Sequence, residues 1–222
     1  MSTVLILGAG PNIGLATAKV FATAGYRVAV ASRSKPADLD SSYKHFKFDA
    51  SKPESVPSLF GEVRATLGDP SVVIYNTAQA TSTPDGAFTL GLEQFRNDMD
   101  VNTTSPYITA QEAIKGFAKT GPGSTFIYTG NKLNVLGWPS LLSCGMGKSA
   151  VAHMIRTANI AFPDKGYKFY YVDQRQKDGN VTIPVGGPAH ANEFLELAKD
   201  AKQRPWHYTF VEGQGYVDFH ER

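Results

Sequence analysis

A short apolar run, a glycine-rich turn and a helical pattern open the chain in that order, and they constrain its fold more than any other feature. Residues 3–7 predict a buried strand, and residues 13–24 predict a helix. Glycine permits positive φ and close backbone approach to a diphosphate, which the free N–H groups of a helix start attract. The turn predicts a dinucleotide site built from Gly8, Gly10, Asn12, Ile13 and Gly14. The alternative is a tight turn without a ligand.

Apolar, β-rich runs alternate with helical patterns along all 222 residues. Further strands are predicted at 26–31, 46–48, 72–75, 125–128, 168–172 and 208–211, and further helices at 53–67, 92–118 (bent near Pro106), 142–161 and 193–201. This alternation predicts an α/β fold in one domain over residues 1–222, a Rossmann-type, doubly wound, mostly parallel sheet of about seven strands with helices on both faces. Residues 173–189, rich in Gly, Pro and charge, predict a substrate or lid loop over the carboxyl edge of the sheet.

Composition excludes several classes of partner. A net charge of +2 gives no basis for nucleic-acid or membrane steering. No apolar run approaches the roughly 18 residues of a membrane-spanning helix. One cysteine cannot form an internal disulfide, so a cytoplasmic location is expected. No His, Cys and carboxylate residues have metal-ligand spacing, and the expected partner is a small-molecule substrate.

The end of the second predicted strand indicates which cofactor binds. An NAD site usually has an acidic residue here that holds the ribose 2′-hydroxyl, and none is present. Ser32, Arg33 and Lys35 would instead favour a 2′-phosphate. The sequence therefore predicts NADP(H) rather than NAD, with a solvated basic turn as the alternative.

Further motifs follow in order over residues 1–173, and together the chain resembles the short-chain dehydrogenase/reductase family. These motifs are Asp49-Ala50-Ser51, Asn76-Thr77-Ala78-Gln79 and Asp100-Val101-Asn102. The resemblance implies that Asp49 and Ala50 meet the adenine ring, and that Asn76 and Ala78 border the cofactor. Asn12 stands where the family has its middle glycine, and asparagine tolerates the positive φ expected there. Residues 128–131 and 145–148 are similar to a shorter, fungal-type subgroup.

The catalytic motif departs from the family pattern. In the frame Tyr-x-x-x-Lys, Lys148 is kept and Cys144 replaces the tyrosine, while Asn131 and Gly130 lie where the catalytic serine is expected. The resemblance implies that Lys148 binds the nicotinamide ribose and that Asn102 belongs to the catalytic set.

The four catalytic candidates, Lys148, Asn102, Asn131 and Cys144, each have a structural alternative. Cys144 is shorter than tyrosine and would need a bridging water, would act as a nucleophile, or is simply a small buried thiol. Asn131 could donate its amide to a substrate carbonyl or serve as a turn residue. Asn102 could instead cap or kink its helix, and Lys148 could be a solvated helix lysine.

Other polar residues lie at strand ends. Asp173 and Arg175 could supply the missing acid or base or bind an anionic substrate, but a surface ion pair is the favoured interpretation. Lys132 is expected to be solvated rather than facing the substrate. Tyr75 and Tyr128 could offer a displaced phenol, although packing in their strands is the simpler interpretation.

Two hypotheses remain open. The first is NADPH-dependent reduction of a small carbonyl, imine or enone with an atypical proton donor. The second is a non-redox use of the scaffold, as a cofactor sensor or as a dehydratase, isomerase or cyclase. The resemblance also implies a homodimer or homotetramer paired through the helices near 92–118 and 143–161.

Overall fold

The computed structural model describes residues 1–220 and contains one sheet of eight strands in the order β3-β2-β1-β4-β5-β6-β7-β8. The strands are β1 Thr3–Leu7, β2 Arg27–Ser32, β3 Lys44–Lys47, β4 Val72–Tyr75, β5 Thr125–Thr129, β6 Lys168–Gln174, β7 His207–Val211 and β8 Gly215–Tyr216. The helices are α1 Ile13–Thr23, α2 Val56–Leu67, α3 Leu92–Met99, α4 Ser105–Thr120, α5 Leu142–Ala161 and α6 Gly187–Lys199. All neighbouring strands pair in parallel except β7 and β8.

Two apolar cores lie on opposite faces of this sheet. Side chains of α2, α4 and α5 pack on one face, and side chains of α1 and α6 pack on the other. Strand residues alternate between the cores, so that Leu5 and Leu7 point to the first and Val4 and Ile6 to the second. Because both faces are covered, all of β1 is buried, as its unbroken apolar run predicts. The predicted fold class, including helices on both faces, is confirmed.

The strand order reverses between β1 and β4, and this reversal places the site. In open parallel sheets, the crevice outside the carboxyl ends of the strands at such a reversal is where ligands bind. The glycine turn follows β1, and residues 76–79 follow β4.

The structure corrects three predicted elements. The predicted helix 92–118 contains a π turn, Asp100–Thr104, between α3 and α4. Pro106 lies in the first turn of α4, directly after the π turn. Helix α6 begins at Gly187 rather than at residue 193, because the Gly-Gly-Pro start carries no helical periodicity. The third strand covers 44–47 rather than 46–48.

The predicted loop 173–189 is also shorter than expected. Residues 173 and 174 complete β6, and α6 begins at 187, so the irregular segment covers 175–186. An antiparallel bridge between Arg175 and Val181 folds this segment back on itself. Within residues 1–220, none of the helices is both long and apolar enough to cross a membrane.

Candidate active site

A cleft of about 620 Å³ opens at the carboxyl ends of β1, β2 and β4. Eight of the predicted cofactor residues line it: Gly8, Gly10, Ser32, Arg33, Asp49, Ala50, Asn76 and Ala78. The predicted residues Asn12, Ile13, Gly14 and Lys148 are not among its lining residues. The structure therefore brings most of the predicted cofactor set together in one cavity of the size that small-molecule sites commonly have.

The glycine turn is close-packed against its own chain. Gly8 has φ +104°, and a Cβ added there would lie 2.7 Å from the Thr77 Oγ1 atom. A Cβ on Gly14 would lie 2.4 Å from the carbonyl oxygen of Gly8. Only glycine fits at these two positions. Asn12, in contrast, has φ −85°, so the expectation that it adopts positive φ is wrong.

The end of β2 presents hydroxyl and guanidinium groups to the cleft. The Ser32 hydroxyl donates to the Ser34 carbonyl oxygen at 2.8 Å and lies 3.0 Å from the Nε2 atom of His45. Because the single Ser32 proton is used in the first bond, His45 donates in the second. Asp38 also lines this part of the cleft, a carboxylate that the sequence analysis did not single out.

Asn76 connects the glycine turn to Thr129 at the end of β5. Its amide nitrogen donates to the Gly8 carbonyl oxygen at 2.9 Å, and its amide oxygen accepts from the Thr129 hydroxyl at 2.9 Å. The Thr129 carbonyl oxygen in turn accepts from the Lys148 ammonium group at 2.9 Å. Thr129 therefore links Asn76 in the cleft to Lys148, through its hydroxyl on one side and its carbonyl oxygen on the other.

Lys148 and Cys144 lie one turn apart on α5, and both are buried. The Lys148 ammonium group sits 4.5 Å from the centre of the Tyr128 ring. Burial lowers the pKa of Lys148 to about 8, against the opposing influence of Cys144 and Asp173. Burial likewise raises the pKa of the Cys144 thiol, so the thiol is neutral at ordinary pH and matches the buried-thiol interpretation.

Asn102 and Asn131 both use their side chains to hold the backbone. The Asn102 amide bonds the N–H of Gln79 at 3.0 Å and the carbonyl oxygen of Gln79 at 2.7 Å, from within the π turn. Asn131 accepts from the N–H of Leu133 at 3.1 Å and caps a short helix. Neither amide lines the cleft. For Asn131 this geometry is that of a turn residue.

A stack of three buried phenols crosses β4, β5 and β6 beside Lys148. Tyr75, Tyr128 and Tyr171 are register partners on β4, β5 and β6, with ring centres 5.7 and 5.6 Å apart. The Tyr171 hydroxyl donates to the Asn131 carbonyl oxygen and accepts from its N–H. A Cβ on Gly130 would lie 2.1 Å from the Tyr171 ring. The phenol therefore fills the space beside the expected serine position.

Two predictions about charged residues that lie near the ends of β5 and β6 are wrong. Asp173 and Arg175 form an ion pair of 2.6 Å that is almost fully buried, not a surface pair. Arg175 also donates to the carbonyl oxygen of Gly179, four residues further along the same segment, at 3.0 Å. The same oxygen accepts from Lys132 at 2.8 Å, so Lys132 is half-buried and bonded rather than solvated.

A buried carboxylate that the sequence analysis missed anchors the start of α5. Asp98 accepts hydrogen bonds from Ser143, Thr81 and Gln94 at 2.6, 2.8 and 2.8 Å. The one feature of the sequence that could have indicated Asp98 is its position, since it lies one helical turn before Asn102. This network fixes the backbone beside Cys144.

Comparison with known proteins places the chain in a family. A family model described as Enoyl-(Acyl carrier protein) reductase matches residues 8–175. The short chain dehydrogenase/reductase dmxR12 of Cryptosporiopsis sp. (strain 8999) is 42% identical over 231 aligned positions, covering 97% of this chain and 94% of that protein. Glucose 1-dehydrogenase of Gluconobacter oxydans (strain 621H) is 26% identical, covering 82% of this chain and 70% of that protein. The chain belongs to the short-chain dehydrogenase/reductase family.

Solved structures agree on the fold. An NADH-dependent reductase complexed with NAD matches with a TM-score of 0.79 at 20% identity, covering 95% of this chain and 94% of that one. An alcohol dehydrogenase of Thermococcus sibiricus complexed with 5-hydroxy-NADP also has a TM-score of 0.79 at 20% identity, covering 99% and 100%. At this identity the two structures show a common fold and no more.

Proposed function

We propose that the protein is an NADPH-dependent oxidoreductase that reduces a small carbonyl, imine or enone substrate with an atypical proton donor. The observation that carries this proposal is the cleft itself. The glycine turn and the end of β2 share one cavity, and β2 ends at Ser32 and is followed by Arg33, with no carboxylate at either position. The relatives support the reaction class, since glucose 1-dehydrogenase and sorbose reductase match at 26% and 24% identity.

The residues present fit a nicotinamide dinucleotide. The glycine turn and the first N–H groups of α1 would hold the diphosphate, while Asp49 and Ala50 would border the adenine. Ser32 and Arg33 would hold the 2′-phosphate. Asn76 and Ala78 would border the nicotinamide end, and Lys148 would support it from behind through Thr129, which bonds both Asn76 and Lys148. The bound cofactor supplies a hydride, and the protein supplies position and polarity.

The proton donor is the unusual part of this proposal. The Cys144 thiol is buried, burial raises its pKa, and its side chain is shorter than that of the tyrosine it replaces. We therefore infer that water, or the substrate itself, delivers the proton. An activated substrate such as an iminium or a conjugated enone reduces the need for a strong acid.

A non-redox role on the same scaffold is the second candidate, and burial favours it. Cys144, Lys148 and Asp173 are at most 2% exposed, and none lines the cleft. A cofactor sensor, dehydratase, isomerase or cyclase would bind NADP without consuming it. Loss of NADPH absorbance in the presence of a carbonyl panel separates the two candidates.

The first test is calorimetric titration of the protein with NADPH, NADP and NADH. We expect Arg33→Ala to weaken NADPH binding about 10- to 100-fold, because that change corresponds to the free energy of one charge-assisted hydrogen bond. NADH has no 2′-phosphate, so its binding should weaken less than about threefold. Lys19→Ala is the matched control, because it removes the same charge from an exposed residue of α1 that does not line the cleft. Equal weakening of both cofactors would refute the phosphate role of Arg33. Binding that prefers NADH and depends on Asp38 would reverse the cofactor assignment.

The second test restores the missing phenol. We expect Cys144→Tyr to raise the rate of carbonyl reduction at least about tenfold, because general acid catalysis contributes about 10²- to 10⁴-fold where the donor reaches the substrate. Cys144 is only 2% exposed, so the larger ring should also lower the free energy of unfolding by about 1–3 kcal/mol.

Cys144→Ser is the control for this test, since it changes the acid without extending its reach. NADPH oxidation with a panel of aldehydes, ketones and enones measures the rate, and thermal unfolding checks that the variant folds. A folded variant that binds NADPH and gains no activity would count against loss of the acid as the defect. It would indicate instead that the 175–186 segment and Asn131 have rebuilt the site.

We also propose that the chain forms a homodimer or homotetramer in the cytoplasm. Tyr107 of α4 and Met146 and Ile160 of α5 are 52%, 43% and 69% exposed, and these are the helices through which pairing is expected. Light scattering on the purified protein gives the number of subunits.

A further inference from the structure

The side chain of Asn12 contacts the segment between β6 and α6 rather than the cleft. Its amide nitrogen donates to the Val185 carbonyl oxygen at 2.9 Å, across 173 residues of sequence. Gly187 lies so close that a Cβ there would be 2.4 Å from the Asn12 Oδ1 atom. Residues 185–187 therefore rest directly on the first turn of α1, where the glycine motif ends.

The same segment is held at Gly186 from two further directions. The Gly186 N–H donates to the Gln174 amide oxygen at 2.7 Å. Its carbonyl oxygen lies 2.9 Å from the Nδ1 atom of His190 and can only accept, so Nδ1 carries the proton. Burial lowers the pKa of His190 to about 4, which keeps this ring neutral at ordinary pH.

The other end of the segment contacts Lys132 after β5 and Asp173 at the end of β6. Arg175 pairs with Asp173 and also donates to the Gly179 carbonyl oxygen. Lys132, next to Asn131, donates to the same oxygen. One segment, 175–186, therefore contacts both α1 and the residues around Lys148.

We propose that Asn12 is the positioning residue through which the diphosphate end of the cleft is joined to the 175–186 segment, so that a cofactor bound at the glycine turn holds this segment in place through the Asn12 side chain. The proposal rests on the proposed function, because it needs a dinucleotide at the glycine turn. An anion bound to the first N–H groups of α1 restricts the backbone at Asn12, and the side chain bonded to Val185 is restricted with it. By linkage, an ordered segment also strengthens cofactor binding.

This role explains the departure of Asn12 from the family pattern. With φ −85° the position does not need the tolerance of positive φ that glycine and asparagine provide. Glycine would have no side-chain amide to donate to the Val185 carbonyl oxygen. What asparagine adds at this position is therefore the contact with the segment between β6 and α6.

Hydrogen exchange of the full chain, read by mass spectrometry on peptides covering 176–187, tests the proposal. NADPH at saturation, established for each variant by calorimetry, should slow exchange in the wild type at least fivefold. In Asn12→Ala the slowing should fall below twofold. Asn192→Ala is the matched control, because Asn192 is exposed on α6, and it should behave as the wild type. Gly187→Ala approaches the same contact from the other side and should also reduce the slowing.

The ratio with and without NADPH is the decisive quantity. A purely structural role for Asn12 would speed exchange equally in both conditions and leave the ratio unchanged, which would overturn the proposal. An unchanged exchange rate in a wild type that binds NADPH would overturn it as well. Absence of NADPH binding in the calorimeter would instead show that the proposed function has failed, and the coupling would fall with it.

Discussion

Replacing Gly130 with alanine is expected to lower the free energy of unfolding by about 3 kcal/mol or more, because overpacking a rigid core costs this much. The new Cβ would lie 2.1 Å from a carbon of the Tyr171 ring. That ring cannot move easily, since it stacks on Tyr128 and its hydroxyl makes two bonds to Asn131. Gly130 does not have positive φ, so the cost is steric and not conformational.

Chemical denaturation of Gly130→Ala, Tyr171→Ala and the double variant measures this coupling. Tyr171→Ala alone should cost about 3–5 kcal/mol as a large-to-small core substitution. The double variant should be more stable than the sum of the single effects by at least about 2 kcal/mol, because the clash is gone. Gly137→Ala is the control, since an added Cβ there meets no atom within 4 Å. Additive effects would show that the phenol does not occupy the space above Gly130.

Replacing Lys148 with methionine is expected to raise the free energy of unfolding at pH 7 by about 1–3 kcal/mol while weakening cofactor binding. The pKa of Lys148 is lowered to about 8 in the folded chain, from 10.5. Such a shift corresponds to about 3 kcal/mol against the charged, buried form. Methionine fills similar space without that penalty, and only one acceptor, the Thr129 carbonyl oxygen, loses its donor. Stability and function therefore oppose each other at this position.

The pH dependence gives the sign of the same effect. Between pH 8 and 10.5 the unfolded chain holds the Lys148 proton more tightly than the folded chain, so wild-type stability should rise with pH in this window. Lys148→Met should reduce that slope. Measurement should stop near pH 9.5, because the pKa values of Tyr75, Tyr128 and Tyr171 are raised by burial and their ionisation would oppose folding above that.

Lys168→Met is the matched control, because burial also lowers the pKa of Lys168 to about 8. Its ammonium group donates to the carbonyl oxygens of Leu197, Ala198 and Asp200 at the end of α6. Removing it should reduce the pH slope but destabilise the protein at every pH, since these acceptors lose their donor. A fall in stability at pH 7 for Lys148→Met as well would show that Lys148 is needed for folding.

The sequence by itself determined the architecture and the cofactor end of the site. The periodicity of apolar residues distinguishes the strands from the helices. The glycine turn is recognisable because its steric requirements, as at Gly8 and Gly14, mostly involve residues close in sequence. The positions of Ser32 and Arg33 follow from the end of β2, so the strand prediction carried them into the cleft. The replacement at Cys144 was equally visible, because the motif around it is a local pattern on one helix.

Only the tertiary structure decided the surroundings of Gly130, of Asn12 and of the Asp173–Arg175 pair. The Tyr171 ring meets Gly130 across 41 positions of sequence, and Asn12 meets Val185 across 173. The Asp173–Arg175 pair is close in sequence, but its burial depends on the segment that folds over it, and no local pattern encodes that cover. Strand register and helix packing bring these groups together. Each contact therefore depends on the positions of segments that are distant in sequence or that fold over it.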